Sequence, residues 1–257
     1  MARKKQIDTT LFQFADVHWE DPNTGKRAPK WKRIAVGEIP KFQSANSNYN
    51  VFATVQRFKN PVHTTPEQSY MPFYFDLDSD GHPLDLVVAG KLALELFKGE
   101  VPAPIMAAVR NMVSVGIDPD EDDLKQAREA FEKAGSALKN EIWNANLEIS
   151  QVDAQNIVTF FHEELGLPKE DIRIYFSGKK GFHILISAVA LGVEPHTELH
   201  LVYKFMALYL KQRLELQALD YASIYGSRRV LRLPNSIHQG SSLFKIEITH
   251  EELRLPV

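Results

Sequence analysis

Two aspartates follow a short apolar run at a spacing that allows their carboxylates to act together. Residues 72–75 read Pro-Phe-Tyr-Phe and lead directly into Asp76-Leu77-Asp78. In a strand, side chains alternate between faces, so Asp76 and Asp78 share one face with Cα atoms about 6.6 Å apart. Such a pair can bind divalent cations, which remove the repulsion between the carboxylates. An ordinary turn is the alternative, but a buried strand that ends in two acids favours a cation site.

A glycine-containing loop with two lysines and a histidine is the second candidate. Residues 177–183 read Ser-Gly-Lys-Lys-Gly-Phe-His and lie between two β-rich segments. The glycines allow backbone N–H groups to approach an anion, and the lysines add positive charge. His183 begins the next strand, where its ring could hydrogen-bond to a phosphate. The spacing is not that of a Walker A loop, and a plain hairpin with solvated lysines and a core histidine is an equal alternative.

The third candidate combines an acid with basic and polar residues. Asp220 follows a predicted helix, and arginines stand at positions 228, 229 and 232, before an Asn-Ser-Ile-His group at 235–238. The acid could supply one more metal ligand, and guanidinium groups bind phosphate oxygens bidentately. A basic surface loop is the alternative interpretation.

The apolar pattern predicts the elements that position these groups. β-rich composition predicts strands over residues 49–58, 72–77, 172–176, 182–186, 230–233 and 243–248. Helical spacing predicts helices over residues 86–98, 118–142, 152–165 and 197–216. The short loop between 172–176 and 182–186 predicts a hairpin.

The same pattern predicts the organisation of the chain. Residues 1–48 are polar and are predicted to form an irregular N-terminal extension, and residues from about 100 to 150 a helical insert. We expect one domain over residues 1–257 of the α+β class, with mixed, largely antiparallel sheets flanked by helices.

Composition excludes several classes of site. The chain has 257 residues, 44% of them hydrophobic, which is enough for a substantial core. It has no cysteine, which excludes disulfides, thiolate zinc sites, iron–sulfur clusters and a thiol nucleophile. No apolar run approaches the roughly 20 residues of a membrane span, and the basic N-terminus lacks a secretory apolar segment. We therefore expect a soluble, cytoplasmic protein with no membrane partner.

Charge is distributed unevenly along the chain. The net charge of −3 argues against a generic DNA-coating protein. Residues 1–33 and 173–254 nevertheless each carry four more basic than acidic residues, whereas residues 34–172 are strongly acidic. This asymmetry allows a local anion-binding face.

In their order, the three groups resemble the motifs of the archaeo-eukaryotic primase superfamily. That family shows hydrophobic-Asp-hydrophobic-Asp, then a Ser-Gly-x-x-Gly-x-His type element, then hydrophobic-Asp followed by basic residues. The matching segments here are 75–78, 177–183 and 219–220. Residues 225–232 also resemble the Tyr-x-x-x-Arg-x-x-Arg stretch of primase–polymerases, and residues 232–238 the Pro-x-Ser-x-His stretch of the replicative primase small subunit. The resemblance covers residues from about 50 to 250 and implies a primase–polymerase catalytic core with an RRM-like portion.

The resemblance implies a template-dependent nucleotidyltransferase that synthesises or extends primers on single-stranded DNA by two-metal-ion phosphoryl transfer. It implies two Mg²⁺ or Mn²⁺ ions, with Asp76, Asp78 and Asp220 as catalytic metal ligands. The implied nucleotide-binding residues are Ser177, Lys179, Lys180, His183, Arg229, Arg232, His238 and Lys245. The implied partners are the template, a primer strand and nucleoside triphosphates, together with a helicase or another replication, repair or defence protein.

Three other functions are compatible with the same residues. They are a repair-type polymerase without priming activity, a metal-dependent nuclease, and an inactive nucleic-acid-binding module of the same fold. Use of a nucleoside triphosphate separates the polymerases from a nuclease, and the lysine-bearing glycine loop favours the triphosphate.

A basic segment near the N-terminus is a candidate surface for the template strand. It contains Lys26, Arg27, Lys30, Lys32 and Arg33. Trp31 lies among these cations and is available for base stacking, although simple packing is the more usual role of a tryptophan.

Overall fold

The computed structural model describes residues 11–21, 23–64, 67–78, 136–179, 181–221, 225–238 and 241–256. The strands within these ranges are β1 Phe14–Glu20, β2 Lys32–Ala35, β3 Asn50–Thr54, β4 Arg57–Phe58, β5 Ser69–Tyr70, β6 Phe73–Asp78, β7 Ile172–Phe176, β8 Gly181–Ile186, β9 Val230–Arg232 and β10 Ile246–Ile248. The α-helices are α1 Ile39–Ala45, α2 Ser136–Thr159 and α3 Leu199–Arg213. This is an α+β structure with antiparallel sheets, which confirms the predicted class.

The first sheet contains β1, which the sequence did not predict. Among the described residues its strand order is β5-β4-β1-β3-β9, with β2 also paired to β1. The prediction of an irregular segment over residues 1–48 is therefore wrong for β1, β2 and α1. The sequence pattern does not reveal this strand because it contains polar residues that are buried. Asp16 and His18 are buried in β1 alongside Ala15 and Val17.

The second sheet carries the predicted hairpin. Its order among the described residues is β10-β7-β8-β6, and β7 pairs antiparallel with β8 at Ile174↔Ile184. Residues 218–220 continue the sheet beyond β6, since the Asp78 N–H donates to the Ala218 carbonyl at 2.9 Å. The Asp220 N–H donates to the Asp76 carbonyl at 3.1 Å. Asp220 is thereby brought opposite Asp76, although the two residues are 144 positions apart in the sequence.

The two faces of the second sheet differ in polarity. One face carries apolar side chains such as Phe73, Phe75 and Ile184, all fully buried in the main hydrophobic core. The helices α2 and α3 contribute Ile157 and Tyr203 to the same core, where each large apolar side chain contributes roughly 1.5–3 kcal/mol. Because side chains alternate along a strand, Asp76, Asp78 and His183 lie on the opposite face.

The helices differ from the predicted ones in one respect. The predicted break between helices 118–142 and 152–165 is wrong, since α2 runs unbroken through residues 136–159 and a π-helical turn, Phe160–Glu164, follows it. Buried polar residues explain the error, because they interrupt the apolar pattern while making tertiary hydrogen bonds. Asp153 accepts from the Ala218 N–H at 2.6 Å, and Gln151 donates to the Leu253 carbonyl at 2.8 Å.

The other predicted helices either agree with the structure or lie outside the described residues. The helix α3 falls within the predicted 197–216. The predicted helix 86–98, the start of the predicted helix at 118, and residues 100–135 of the insert lie outside the described residues. In the described part of the chain, no helix has the length and apolar character needed to cross a membrane.

Candidate functional site

A cleft lies between the polar face of the second sheet and the edge of the first. Its volume is about 150 Å³. The lining residues are Phe52, Asp76, Asp78, Ser177, Lys179, His183, Arg229, Val230, Leu231, Arg232 and His238. Acidic residues thus face a set of basic ones across a space that is large enough for a charged ligand.

A row of cross-strand neighbours runs across the polar face of the second sheet, and two of its members, Asp76 and His183, line the cleft. Tyr175 pairs with His183, and His183 pairs with Asp76. Asp220 lies opposite Asp76 on the other edge of β6, as the bridge between Leu77 and Leu219 requires. Residues directly opposite each other in an antiparallel pair project to the same face. The register therefore places a tyrosine, a histidine and two aspartates side by side.

Asp76 forms one ion pair, with Arg229, and one hydrogen bond, with His183. Its Oδ1 lies 3.2 Å from His183 Nε2, and its Oδ2 lies 2.7 Å from an Arg229 guanidinium nitrogen. Burial would raise the pKa of Asp76, but the His183 and Arg229 contacts outweigh it and hold that pKa well below its usual range. Asp76 is therefore ionised at any physiological pH.

His183 also contacts a buried lysine. Lys245 Nζ lies 2.7 Å from His183 Nδ1, and Lys245 is 2% exposed. Because an ammonium can only donate, Nδ1 accepts and the proton of a neutral ring lies on Nε2, which donates to Asp76. Burial, together with the charge of Lys245, lowers the pKa of His183 to about 4. Burial likewise lowers the pKa of Lys245 to about 7.

Two arginines in the cleft have unused hydrogen-bond donors. Among the described residues, Arg229 Nε and Arg232 Nε are buried without an acceptor. Arg232 also donates to the Ser177 carbonyl at 2.9 Å, which holds it against the glycine loop. Burial lowers the pKa of Arg232 to about 10. Buried donors that lack a partner are costly, and an oxyanion in the cleft would satisfy both of them.

The glycine loop has this conformation because of two specific glycines. Gly178 has a φ of 89°, and a Cβ there would lie 3.0 Å from the Leu243 carbonyl oxygen. At Gly181 a Cβ would overlap the Leu77 carbonyl oxygen of β6. The first glycine supplies the turn and the second allows β8 to approach β6, which brings Ser177 and Lys179 to the mouth of the cleft.

A second hairpin, described over residues 233–238 and 241–245, delivers His238 and Lys245. The Asn235 N–H donates to the Lys245 carbonyl at 2.7 Å, and the Lys245 N–H donates to the Ser236 carbonyl at 3.0 Å. Asn235 adopts a φ of 63°, a left-handed conformation that asparagine tolerates. This hairpin packs its lysine beneath His183 while His238 lines the cleft.

The acidic side chains are of the type that binds divalent cations, but their described positions do not form a metal site. Carboxylate oxygens are the ligands that Mg²⁺ and Mn²⁺ prefer. In the described part of the chain, however, no three His, Asp or Glu side chains converge as a metal site. Arg229 binds one oxygen of Asp76. A cation at that oxygen would therefore have to replace the arginine.

The structure brings most of the predicted site residues together. Eight line the cleft: Asp76, Asp78, Ser177, Lys179, His183, Arg229, Arg232 and His238. Lys245 lies behind His183. Asp220 pairs with Asp76 through the backbone but is not among the described side chains that line the cleft, and Lys180 lies outside the described residues.

Sequence reasoning missed Phe52 as a cleft residue. It lies on β3, where it pairs with Arg232 of β9. No local signal identifies it, because its partner is 180 positions away in the sequence. Only the strand pairing reveals that it faces the candidate site.

Arg33 is not part of an exposed basic surface, contrary to the prediction. Its side chain is 3% exposed and contacts Asp16 at 2.7 Å and Glu67 at 2.5 Å. Its guanidinium also lies 3.9 Å from the centre of the Phe58 ring. Arg33 therefore neutralises two buried acids within the first sheet. Removing one member of such a group leaves an uncompensated buried charge.

No protein-family model matches this chain, and no curated protein matches it.

Proposed function

We propose that this protein is a template-dependent nucleotidyltransferase of the primase–polymerase type, which synthesises or extends a strand on single-stranded DNA. One observation carries the proposal: Asp76 and Asp78 share a cleft with His183, Arg229 and Arg232. Phosphoryl transfer requires mainly positioning and neutralisation of charge. This reaction needs acidic side chains that bind cations and basic side chains that bind a triphosphate. The cleft holds these two groups opposite each other.

The basic residues have separate roles in this proposal. Arg229 and Arg232 offer their unused Nε donors to phosphate oxygens, and charge-assisted hydrogen bonds of this kind are strong. Ser177 and Lys179 bind the same group from the glycine loop. Lys245 adds positive charge behind His183, where the negative charge of a bound triphosphate would raise its pKa again.

The acidic residues would hold the divalent ions. Asp76 and Asp78 would supply the first ligands, and Asp220 would assist from the position opposite Asp76. The chemistry that two such ions supply when bound is activation of a 3′-hydroxyl and stabilisation of the leaving pyrophosphate. Arg229 is then released from Asp76 and becomes available to the triphosphate.

The test is strand synthesis by the purified protein. It is incubated with single-stranded template, with and without primer, with ribo- or deoxyribonucleotides and Mn²⁺ or Mg²⁺, and the products are resolved on a denaturing gel. We expect extension of the primer, synthesis of a new one, or both. Absence of product in every combination, where a known primase–polymerase succeeds, would refute the proposal. Cleavage of the template without nucleotides would indicate a nuclease instead.

Asp78→Asn tests the acid without disturbing the core, because Asp78 is exposed at the end of β6. We expect a loss of rate of at least about a hundredfold with unchanged thermal unfolding. Glu198→Gln is the matched control, since its side chain is 57% exposed beside α3. A full rate in Asp78→Asn would contradict the metal assignment.

A binding module without catalysis is the second candidate. The observation that favours it is that both carboxylate oxygens of Asp76 already contact His183 and Arg229. Tight binding of single-stranded DNA that does not depend on divalent ions, with no nucleotide incorporation, would support this candidate over the first.

A further inference from the structure

A continuous row of side chains crosses the first sheet and ends in the cleft. His18 of β1 pairs with Phe52 of β3, and Phe52 pairs with Arg232 of β9. On the other edge of β1, Val17 pairs with Lys32, so the register places Trp31 opposite His18. Cross-strand partners project to the same face. Trp31, which precedes β2, therefore forms one line with His18, Phe52 and Arg232, which lie on three adjacent strands.

The outer end of this row is an ordered aromatic platform. The Trp31 and His18 rings stack with centroids 4.4 Å apart and planes 29° apart. His18 is 7% exposed and its Nε2 lies 3.1 Å from the Ala28 carbonyl oxygen, which fixes the ring. Trp31 remains 45% exposed. A large aromatic side chain held in place by a buried partner, with nearly half its surface open, is suited to stacking on a further planar group.

Positive charge surrounds the platform. Lys26, Arg27, Lys30 and Lys32 are all exposed on the loop and strand that carry Trp31. Arg27 contacts Glu20 at 3.0 Å. Lys32 pairs with Val17 and by strand alternation projects to the face opposite Trp31, so Lys26 and Lys30 are the lysines of the loop that carries Trp31. Aromatic rings that alternate with cations are the arrangement by which proteins bind single strands, because bases stack and phosphates pair with the cations.

The inner end of the row meets the candidate site. Phe52 and Arg232 both line the cleft. With about 4.8 Å between neighbouring strands, the distance from Trp31 to Arg232 is about 15 Å. At a stacked rise of 3.4 Å per nucleotide, this corresponds to about four nucleotides.

We propose that the row Trp31–His18–Phe52–Arg232 is a track for single-stranded DNA, which leads a strand from the basic N-terminal loop into the cleft. Bases stack on Trp31 and Phe52, and the lysines beside Trp31 hold the phosphates. The inference rests on the proposed function in one respect only, namely that the bound strand is the template. The binding itself depends on no metal ion and no nucleotide.

Binding of a fluorescein-labelled oligo-dT 12-mer, followed by anisotropy in EDTA, tests the track. We expect Trp31→Ala to weaken binding about tenfold or more, since one base loses its stacking partner. Trp31→Phe should retain most of the affinity, because phenylalanine still stacks. Lys26→Glu combined with Lys30→Glu should weaken binding and lower its dependence on salt concentration.

Phe205→Ala is the matched control. Phe205 is 70% exposed on α3, a helix that packs against the opposite face of the second sheet. This variant should bind as the wild type does, and all variants should unfold at the wild-type temperature because the substituted side chains are exposed.

Three outcomes would overturn the track. They are a Trp31→Ala variant that binds within twofold of the wild type, a Trp31→Phe variant as weak as Trp31→Ala, or oligo-rU bound tenfold more tightly than oligo-dT. A wild type that binds through Trp31 but synthesises no strand would refute the proposed function and leave the track in place. Strand synthesis combined with DNA binding that does not depend on Trp31 would support the proposed function and refute the track.

Discussion

Replacing the buried Lys245 by methionine should stabilise the protein at neutral pH. The ammonium has been removed from water, which lowers its pKa from 10.5 to about 7. Lowering the pKa of a lysine by this much corresponds to an unfavourable contribution of roughly 5 kcal/mol to folding at pH values below 7. Methionine has similar length and carries no charge. Lys245→Met therefore removes this cost and provides a direct measure of it.

The variant also loses two favourable contacts. His183 Nδ1 is left without a donor, at a cost of about 1–3 kcal/mol. The contact between Lys245 Nζ and the Tyr175 ring, 4.8 Å from its centroid, contributes about 1 kcal/mol more. We therefore expect Lys245→Met to be more stable than the wild type by about 1–3 kcal/mol at pH 6.5.

The sign of the pH dependence follows from proton binding. Between pH 7 and 10.5 the unfolded chain keeps the Lys245 proton while the folded state releases it. Wild-type stability therefore rises with pH relative to the variant. From pH 6.5 to pH 9 the advantage of Lys245→Met should fall by about 2.5 kcal/mol.

Urea unfolding followed by tryptophan fluorescence at pH 6.5, 8 and 9 measures this difference. Lys41→Met on α1 is the control, because Lys41 is exposed and its substitution should change stability equally at every pH. A free-energy difference between Lys245→Met and the wild type that stays constant over this range would refute the reasoning. Lys245 would then keep an ordinary pKa in the folded state.

Two further substitutions test the framework around the cleft. Gly181→Ala should abolish folding or lower the melting temperature sharply, because the new Cβ overlaps the Leu77 carbonyl oxygen, whereas Gly37→Ala should be nearly neutral since nothing lies within 4 Å of its Cβ position. An unchanged melting temperature for Gly181→Ala would contradict the register of β6 and β8. Tyr225→Phe should cost about 1–3 kcal/mol in urea unfolding, because the Tyr225 hydroxyl donates to the buried Tyr74 carbonyl at 2.8 Å. A cost below about 0.5 kcal/mol would show that this hydrogen bond contributes little.

The strands nearest the candidate acids could be predicted because their sequences are locally consistent. The β7 and β8 segments are rich in β-branched and aromatic residues, and the structure gives a hairpin with the predicted bounds to within one residue. The local pattern fails where buried polar residues make long-range contacts. From the sequence, Asp16 in β1 looks like a surface residue, but in the structure it is buried and neutralised by Arg33. Asp153 in α2 likewise looks exposed, but it is buried and accepts a hydrogen bond from the Ala218 N–H.

By itself the sequence indicated the candidate site residues: two alternating aspartates at a strand end, a glycine loop with a histidine after it, and a later acid with arginines. Those assignments follow from alternation and from turn chemistry, which act over a few residues. Only the tertiary structure decided that Asp220 pairs with Asp76, that Lys245 lies beneath His183, and that Phe52 meets Arg232. These contacts depend on strand pairing across 60 to 180 positions, which local propensity does not encode.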